Sequence, residues 1–374
     1  MGRMSVDARS ANPLTRLPRR ITGVDAARGL ALIGMFVAHV APAVSDQIGQ
    51  LLLAIADERP RLLFALTAGI GLGLLTGGTR PAMEGRGTLR GQIAIRAVIL
   101  ILLGMLVVAT LQPLVLVILD EYGIAFLMLL PLLFIPGWAA VALGATLLVV
   151  TPAVAALAVR DPAVIETMGG DAGIVLDWFL TGAYPVVIWV PVMLIGLGLA
   201  RLDVASSRVL RWYGLVGMAT AAICLPIVRE MPENQVLGVD PGADWMIPVR
   251  ASLMTVGNVG FCLGVVAIVV ALTALARPGI RRVVTVALSP VTAMGAMPLT
   301  IYTAHLVVIA AFKREENDTI TDDSWPLTVG LIVGSMLFAW FWQRYVGRGP
   351  LEMLLRWASG RSRSPELARE PDGV

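Results

Sequence analysis

The chain has 374 residues, of which 57% are hydrophobic and only 15% charged, and its mean hydropathy is +0.80. A soluble domain of average composition carries about 25% charged residues, so these values exclude that class and predict a polytopic membrane protein. The formal net charge of +3 is too small to indicate a nucleic-acid-binding protein.

The first twenty residues are polar, rich in arginine and without the apolar core of a signal peptide, which predicts a cytoplasmic tail over 1–20. Apolar runs then predict an all-α fold: a polytopic integral membrane helical bundle of about ten transmembrane helices, forming one domain over 21–345. The segment 46–58 is too polar to span and is expected to form a short interfacial helix. Residues 346–374 are predicted to be a cytoplasmic tail with an amphipathic start. The predicted spans are 22–44, 61–78, 93–112, 121–136, 138–159, 184–200, 209–228, 251–275, 286–312 and 325–345.

Arginine and lysine residues indicate the orientation of these helices, because the cytoplasmic loops of membrane proteins are enriched in them. With the N-terminus in the cytoplasm, basic residues of the loops and tails fall inside rather than outside by roughly three to one. An even number of spans returns the chain to the same side. We therefore expect both termini to be cytoplasmic and the lipid bilayer to surround the bundle.

The first predicted span contains three ionisable side chains. Asp25 and Arg28 are three residues apart, so they can pair on one helix face near the inner surface. His39 follows Arg28 by about three helical turns, which places both on the same face about 16 Å apart. Ionisable groups within a membrane are costly, so this face is a candidate functional surface. A snorkelling arginine and a packed histidine are the structural alternative.

The chain contains one other histidine, His305, which falls at a similar predicted depth in the ninth span. Tyr302 precedes it by three residues and shares its helix face. Asp120, at the outer start of the fourth span, is a carboxylate that could orient a histidine. The alternative for His305 is a packing role, with a hydrogen bond to a neighbouring helix. Asn258, which lies among glycines, is predicted to make a cross-helix hydrogen bond.

Several familiar chemistries are absent from the sequence. It has no P-loop motif, no HExxH motif and no zinc-binding cysteine pattern, and Cys224 and Cys262 both lie in apolar runs. We therefore predict no metal cofactor. No carboxylate lies at mid-depth in a span, where a proton-coupled transporter usually needs one.

The segment RITGVDAARGLALIGMFVAHV (20–40) resembles the first catalytic span of the transmembrane acyltransferase superfamily, including the Arg28-to-His39 spacing of its acyltransferase-3 group. Other segments are similar, in the same order, to bacterial relatives of heparan-alpha-glucosaminide N-acetyltransferase and to DUF418 proteins. The loop 45–60 lacks the histidine that the lysosomal enzyme uses, so the resemblance places that role on His39. The similar segments are RLLFALTAGIGLGLL, RAVILILLGMLV, EYGIAFLMLLPLLF, TGAYPVVIWVPVMLIGLGLARLD, MGAMPLTIYTAHLVV and GRGPLEMLLR.

The resemblance implies an acyltransferase of the bacterial cell membrane. Such an enzyme moves an acyl group, usually acetyl, from a cytoplasmic acyl-CoA to a hydroxyl or amine of a glycan or lipid on the far side. Inner arginines would bind the phosphates of acetyl-CoA or another acyl-CoA, and His39 would take the acceptor's proton or carry the acyl group. The predicted catalytic residues are His39, His305, Tyr302 and Asp120, and the predicted acyl-CoA-binding residues are Arg28, Asp25 and Arg96.

Two other classes fit the same hydropathy pattern. The first is a transporter or flippase for a small molecule or lipid, and Pro298 in the middle of the ninth span favours it, because transporters use broken helices. The second is a membrane sensor, against which the lack of a predicted soluble domain counts. A homodimer is compatible with each class.

Overall fold

The computed structural model describes residues 20–170, 172–183, 185–231, 245–316 and 319–360. Most of the two predicted tails therefore lies outside the described residues. In chain order, the helices of the described part are α1 (Thr22–Val40), α2 (Gln47–Ala56), α3 (Arg59–Leu75), α4 (Arg86–Leu111), α5 (Leu119–Leu129), α6 (Gly137–Ala158), α7 (Pro162–Met168), α8 (Gly173–Leu176), α9 (Val186–Arg201), α10 (Ser207–Glu230), α11 (Met246–Val270), α12 (Pro278–Ala287), α13 (Ser289–Ala296), α14 (Pro298–Ala311), α15 (Trp325–Tyr345) and α16 (Pro350–Ala358).

The described residues also form two π-helical turns and one short β-hairpin. π-helical turns extend α8 over Asp177–Thr181 and α11 over Ala271–Leu275, and a two-stranded antiparallel hairpin pairs β1 (Arg314–Glu316) with β2 (Thr319–Thr321). The prediction of an all-α fold is confirmed for the described residues. The short helices predicted near 46–58 and after residue 346 are α2 and α16.

The length and hydropathy of the helices indicate a membrane protein. Within the described residues, six helices are long and apolar enough to cross a membrane, or eight if each of two bent pairs forms one span. Each predicted span contains a helix, but α3 has 17 residues and α5 has 11. A straight span needs about 20 residues. The count of ten spans and the cytoplasmic side of both termini therefore stay predictions.

Two of the long helices are inner helices. The apolar window of α1 is 61% buried and that of α11 is 56% buried, whereas those of α4, α6, α10 and α15 are 22–28% buried. Helix α1 packs against α3, α11, α13, α14 and α15. The ionisable residues of the first span consequently lie at the centre of the bundle, and the outer helices expose apolar side chains, as lipid-facing helices do.

Helices α1 and α3 run antiparallel. Gly34 of α1 packs against Pro60, near the start of α3, whereas Arg28 bonds to Thr67, about two turns further along it. The N-terminus of α3 thus lies at the end of the bundle where α1 reaches His39. We call this end the His39 end, and the opposite end, where α1 begins, the Arg28 end.

Helices α9 and α11 also begin at the His39 end. Helix α9 runs parallel to α3, and α11 runs antiparallel to α1. The contacts that set these directions are Gly69 with Met193, Gly73 with Ala200, Gly23 with Val270, and Arg59 with Cys262. Glycines at these contacts let the helix backbones approach closely, because a Cβ atom there would meet the neighbouring helix.

The ninth predicted span, 286–312, is broken. It consists of α13 and α14, whose directions differ by 90°. Met297 leaves the helical region of backbone conformation (φ −132°, ψ 56°), and Pro298 begins α14 without an N–H group to continue the hydrogen-bond ladder. The break lies beside α1, so it exposes helix ends close to the centre of the bundle.

Candidate functional site

The two histidines of the chain are in contact. They lie 266 residues apart in sequence, and His39 Nδ1 is 3.2 Å from His305 Nε2. Their rings stack with centroids 5.4 Å apart and an interplanar angle of 16°. His305 is buried, with 1% of its surface exposed, whereas His39 is half-buried. Helices α1 and α14 thus bring together the two residues for which a similar depth was predicted.

The hydrogen bonds of His305 determine which nitrogens carry protons. Its Nδ1 bonds to the backbone carbonyl of Tyr302, and a carbonyl only accepts, so Nδ1 donates. In a neutral ring Nε2 is then the acceptor, and His39 Nδ1 donates to it. The lone pair of neutral His39 is consequently on Nε2, which has no hydrogen-bond partner among the described residues. The arrangement orients this nitrogen to accept a proton.

Aromatic residues hold the ring of His305 in place. Tyr302 packs edge-on against it with centroids 4.8 Å apart, and the ring of Phe36 lies 4.9 Å away. The phenol oxygen of Tyr302 accepts a hydrogen bond from the backbone N–H of Ile118 (3.1 Å), next to the start of α5. Tyr302 therefore acts on His305 through its carbonyl and its ring, and its hydroxyl joins α14 to α5.

Asp120 is not a partner of the histidines. Its carboxylate accepts a hydrogen bond from the indole N–H of Trp178 (2.8 Å), and it faces Gly104 of α4. The hydrogen bonds of the two histidines go to each other and to the carbonyl of Tyr302. Asp120 lies in the first turn of α5, and its side chain contacts Gly104 of α4 and Trp178 instead.

At the Arg28 end, charges are arranged around the break in the ninth span. The carboxylate of Asp25 receives Arg20 (2.6 Å) and Arg28 (3.5 Å), so the predicted pairing of Asp25 with Arg28 is confirmed. Both arginines also donate to carbonyls at the C-terminal end of α13, those of Ala296 and Gly295. Cations at this position are favourable because the C-terminus of a helix carries partial negative charge.

Two acyl-CoA-binding predictions concern arginines on different helices. Arg28 makes a third contact, in which Nη2 donates to the carbonyl of Thr67 (2.8 Å). Its partners thus lie on α1, α3 and α13. Arg96 is half-buried within α4, which contributes none of those partners. The contacts of Arg28 show a residue that joins three helices, and its predicted role toward CoA stays a prediction.

Glu352 provides the other half of the charge arrangement at the break. Its carboxylate accepts hydrogen bonds from the backbone N–H groups of Leu299 (2.7 Å) and Thr300 (3.1 Å) and from the hydroxyl of Thr300 (2.5 Å). These groups belong to the first turn of α14, where partial positive charge favours a carboxylate. Helix α16 is thereby fixed to the helix that carries His305.

One comparison with known proteins matches the part of the chain that contains α14 and α16. The family model described as "Protein of unknown function (DUF418)" matches residues 198–362. The match supports the predicted resemblance to DUF418 proteins. It extends from the end of α9 through α16, so it includes His305 and Glu352, whereas His39 lies outside it. No curated protein matches the chain.

A second polar network lies at the His39 end, at the start of α3. Glu58 receives hydrogen bonds from Arg61 (2.8 Å) and from the amide of Asn258 (3.0 Å), whose oxygen accepts from Arg59 (3.0 Å). The predicted cross-helix hydrogen bond of Asn258 is confirmed, and it joins α11 to α3.

Sequence reasoning missed Glu352 and the Glu58 network as participants. The signal for Glu352 was a carboxylate beside a Gly-Pro pair in an amphipathic segment, and the signal for Glu58 was the charge cluster DERPR before an apolar run. Arg61 is three residues from Glu58, but Asn258 and the partners of Glu352 are about 50 to 200 residues away, and neither signal identifies them.

Proposed function

We propose that this membrane protein is an acyltransferase of the bacterial cell membrane. It moves an acyl group, acetyl in the first instance, from a cytoplasmic acyl-CoA to a hydroxyl or amine of an extracytoplasmic glycan or lipid. The observation that carries the proposal is the hydrogen-bonded chain from His39 through His305 to the carbonyl of Tyr302. The resemblance of the first span to the acyltransferase superfamily supports the same reaction.

In the proposed step, His39 Nε2 removes the proton from the acceptor as the acceptor's oxygen or nitrogen attacks the thioester carbonyl. The carbon–sulfur bond breaks, and His39 returns the proton to the departing CoA thiolate. His305 stabilises the positive charge that develops on His39, because its Nε2 accepts the hydrogen bond from His39 Nδ1. If an acyl-imidazole formed instead, the nucleophile would be the lone pair on Nε2 of His39.

The experiment is acyl transfer from labelled acetyl-CoA in proteoliposomes that contain purified protein and a bacterial glycan and lipid extract. We expect His39→Ala to reduce transfer by at least about 100-fold, the usual scale of general-base catalysis, with unchanged membrane insertion. Val37→Ala, two residues earlier on α1 and half-buried like His39, is the control for packing. Full transfer by His39→Ala would overturn the proposal.

Donor binding is tested separately with Arg28→Ala. If Arg28 binds the phosphates of CoA, the variant loses CoA affinity by about tenfold or more, the usual scale for a charge-assisted pair. If Arg28 only joins α1, α3 and α13, the variant unfolds at a lower temperature and keeps its CoA affinity. Thermal shift with CoA measures both quantities.

The 90° break between α13 and α14 favours a second candidate, a transporter or flippase. In broken-helix transporters the helix ends face the substrate, whereas here Arg28 and Glu352 of the chain itself contact them. A transporter would move its substrate into proteoliposomes without acyl-CoA. An acyltransferase would be stabilised by CoA or acetyl-CoA and not by nucleotides that lack the pantetheine arm.

A further inference from the structure

Two adjoining cavities open at the His39 end of the bundle. Their volumes are about 420 Å³ and 190 Å³, and they share five lining residues. The walls are the starts of α3, α9 and α11, the last turns of α6, and the segment that connects α8 to α9. The shared residues are Glu58, Gly182, Pro185, Ile188 and Thr255. The combined space is large enough for a small polar molecule or a lipid headgroup.

Positive charge predominates around this space. Arg61 lines the smaller cavity and Arg250 lines the larger one, and Glu58 is the acidic residue common to both. Both carboxylate oxygens of Glu58 already accept hydrogen bonds, from Arg61 and Asn258. Arg59, bonded to the same Asn258, adds a further positive charge next to the cavities. The cavity linings thus contain two guanidinium groups and one carboxylate, with Arg59 nearby and the carboxylate of Asp177 against Gly182.

The direction of the helices adds to this positive potential. Helices α3, α9 and α11 all present their N-termini at the His39 end, and each N-terminus carries partial positive charge. The apolar part of the wall includes Ile188, Trp189 and the α6 side chains around Pro152. A ligand with a compact anionic group and an apolar or hydroxylated remainder matches such a lining.

The cavities are separate from the histidine pair. Trp189, which lines the smaller cavity, contacts the ring of Tyr122, and Tyr122 contacts Phe64. Phe64 in turn stacks with Tyr302, which holds His305. A row of buried aromatic rings therefore stands between the cavities and the histidines, so occupancy of the cavities does not require chemistry at His39.

We propose that these joined cavities are a binding site for a phosphate-bearing ligand, either a soluble phosphate ester or the headgroup of an anionic phospholipid, with Arg250 and Arg61 as the cationic side chains that recognise it. The site goes beyond the proposed acyl transfer, and its occupancy is measurable whether or not that reaction occurs.

The test is thermal unfolding of the purified full-length chain. One arm adds inorganic phosphate or glycerol 1-phosphate to the protein in neutral detergent. The other arm compares nanodiscs of phosphatidylglycerol with nanodiscs of phosphatidylcholine. We expect stabilisation in at least one arm, because a ligand that binds only the folded state raises the unfolding temperature. The arm that responds identifies the source of the phosphate.

Arg250→Gln should weaken the response by about tenfold in ligand concentration, and Arg250→Lys should keep part of it. Arg208→Gln, an exposed arginine at the start of α10, is the matched control and should respond like the unaltered chain. Ala251→Leu fills part of the larger cavity without changing any charge, so it too should weaken the response.

The proposal is overturned if neither arm stabilises the protein, or if Arg250→Gln and Ala251→Leu respond as strongly as Arg208→Gln. The result is distinguishable from a failure of acyl transfer, since His39→Ala, which leaves the cavity walls unchanged, should keep the full response to phosphate.

Discussion

The ionisable side chains at the two ends of α1 differ in how completely their hydrogen-bonding groups are paired. At the Arg28 end, Asp25 bridges Arg20 and Arg28, both arginines contact the end of α13, and Glu352 caps the start of α14. At the His39 end, two imidazoles bond to each other and to one carbonyl, and Nε2 of His39 keeps an unused lone pair.

The difference separates groups that hold helices together from a group that can react. Charges that are fully engaged by partners stabilise a broken helix in a membrane, where an unsatisfied polar group is costly. The hydrogen-bonded chain from His39 through His305 to the carbonyl of Tyr302, in contrast, ends in one nitrogen without a partner among the described residues and does not bond to the backbone groups of a helix end. We therefore expect substitutions of Asp25 and Glu352 to affect folding, and substitutions of His39 and His305 to affect the chemical step.

The largest expected effect is that of His305→Ala on acyl transfer. Without His305, His39 loses the acceptor that fixes its tautomer and stabilises its protonated form, and we expect transfer to fall by about 100- to 1,000-fold. The rate of transfer from labelled acetyl-CoA, measured across pH, checks this.

Tyr302→Phe is the matched comparison, because the carbonyl bonded to His305 remains. It should retain most transfer and lose some stability, since the N–H of Ile118 is left without its acceptor. Equal losses of acyl transfer in His305→Ala and Tyr302→Phe would contradict the proposed role of the hydrogen bond between His39 and His305.

The next effect is that of Asp25→Ala on stability. Removal of this carboxylate leaves two arginines beside each other at a partly buried position, and we expect unfolding to become easier by about 3 kcal/mol. Denaturant titration of the protein in mild detergent measures it. The double variant Asp25→Ala/Arg28→Leu should recover part of the loss. If Asp25→Ala is as stable as the unaltered chain, the ion pairs of Asp25 with Arg20 and Arg28 do not stabilise the break between α13 and α14.

Glu352 is expected to have the smallest effect of the three. Glu352→Ala removes the cap of α14 and should destabilise the protein by about 1–2 kcal/mol, whereas Glu352→Gln keeps a carbonyl acceptor and should cost less. The unfolding temperature reports the order of the two variants. Met353→Ala, at an exposed position of α16, is the control. Identical behaviour of Glu352→Ala and the control would exclude a capping role.

The sequence alone predicts the local features of this molecule well. Hydropathy locates the helices, the three-residue spacing predicts the pair of Asp25 with Arg28, and helical depth predicts that His39 and His305 lie at one level. These features depend on residues close together or on the dimensions of the bilayer.

Long-range features are beyond such reasoning. Pro298 indicates a break, but the 90° change of direction depends on how α13 packs against α1, with Gly295 against the backbone at Asp25. Asp120 was assigned to the histidines because its depth agreed, although depth does not determine the direction of a side chain around the bundle axis. Glu352 finds its partners 52 and 53 residues earlier in the chain, through a tertiary contact.

The fixing of α16 to α14 by Glu352 has a consequence for biosynthesis. Helix α1 leaves the ribosome before α14, because His305 follows His39 by 266 residues, and the Glu352 cap of α14 comes later still. At about 5–20 residues per second, His39 is in the nascent chain for roughly 13 to 50 seconds before its partner exists. The histidine pair is therefore completed only after α14 is synthesised, and truncation before residue 352 is expected to yield a chain in which α14 starts without its cap.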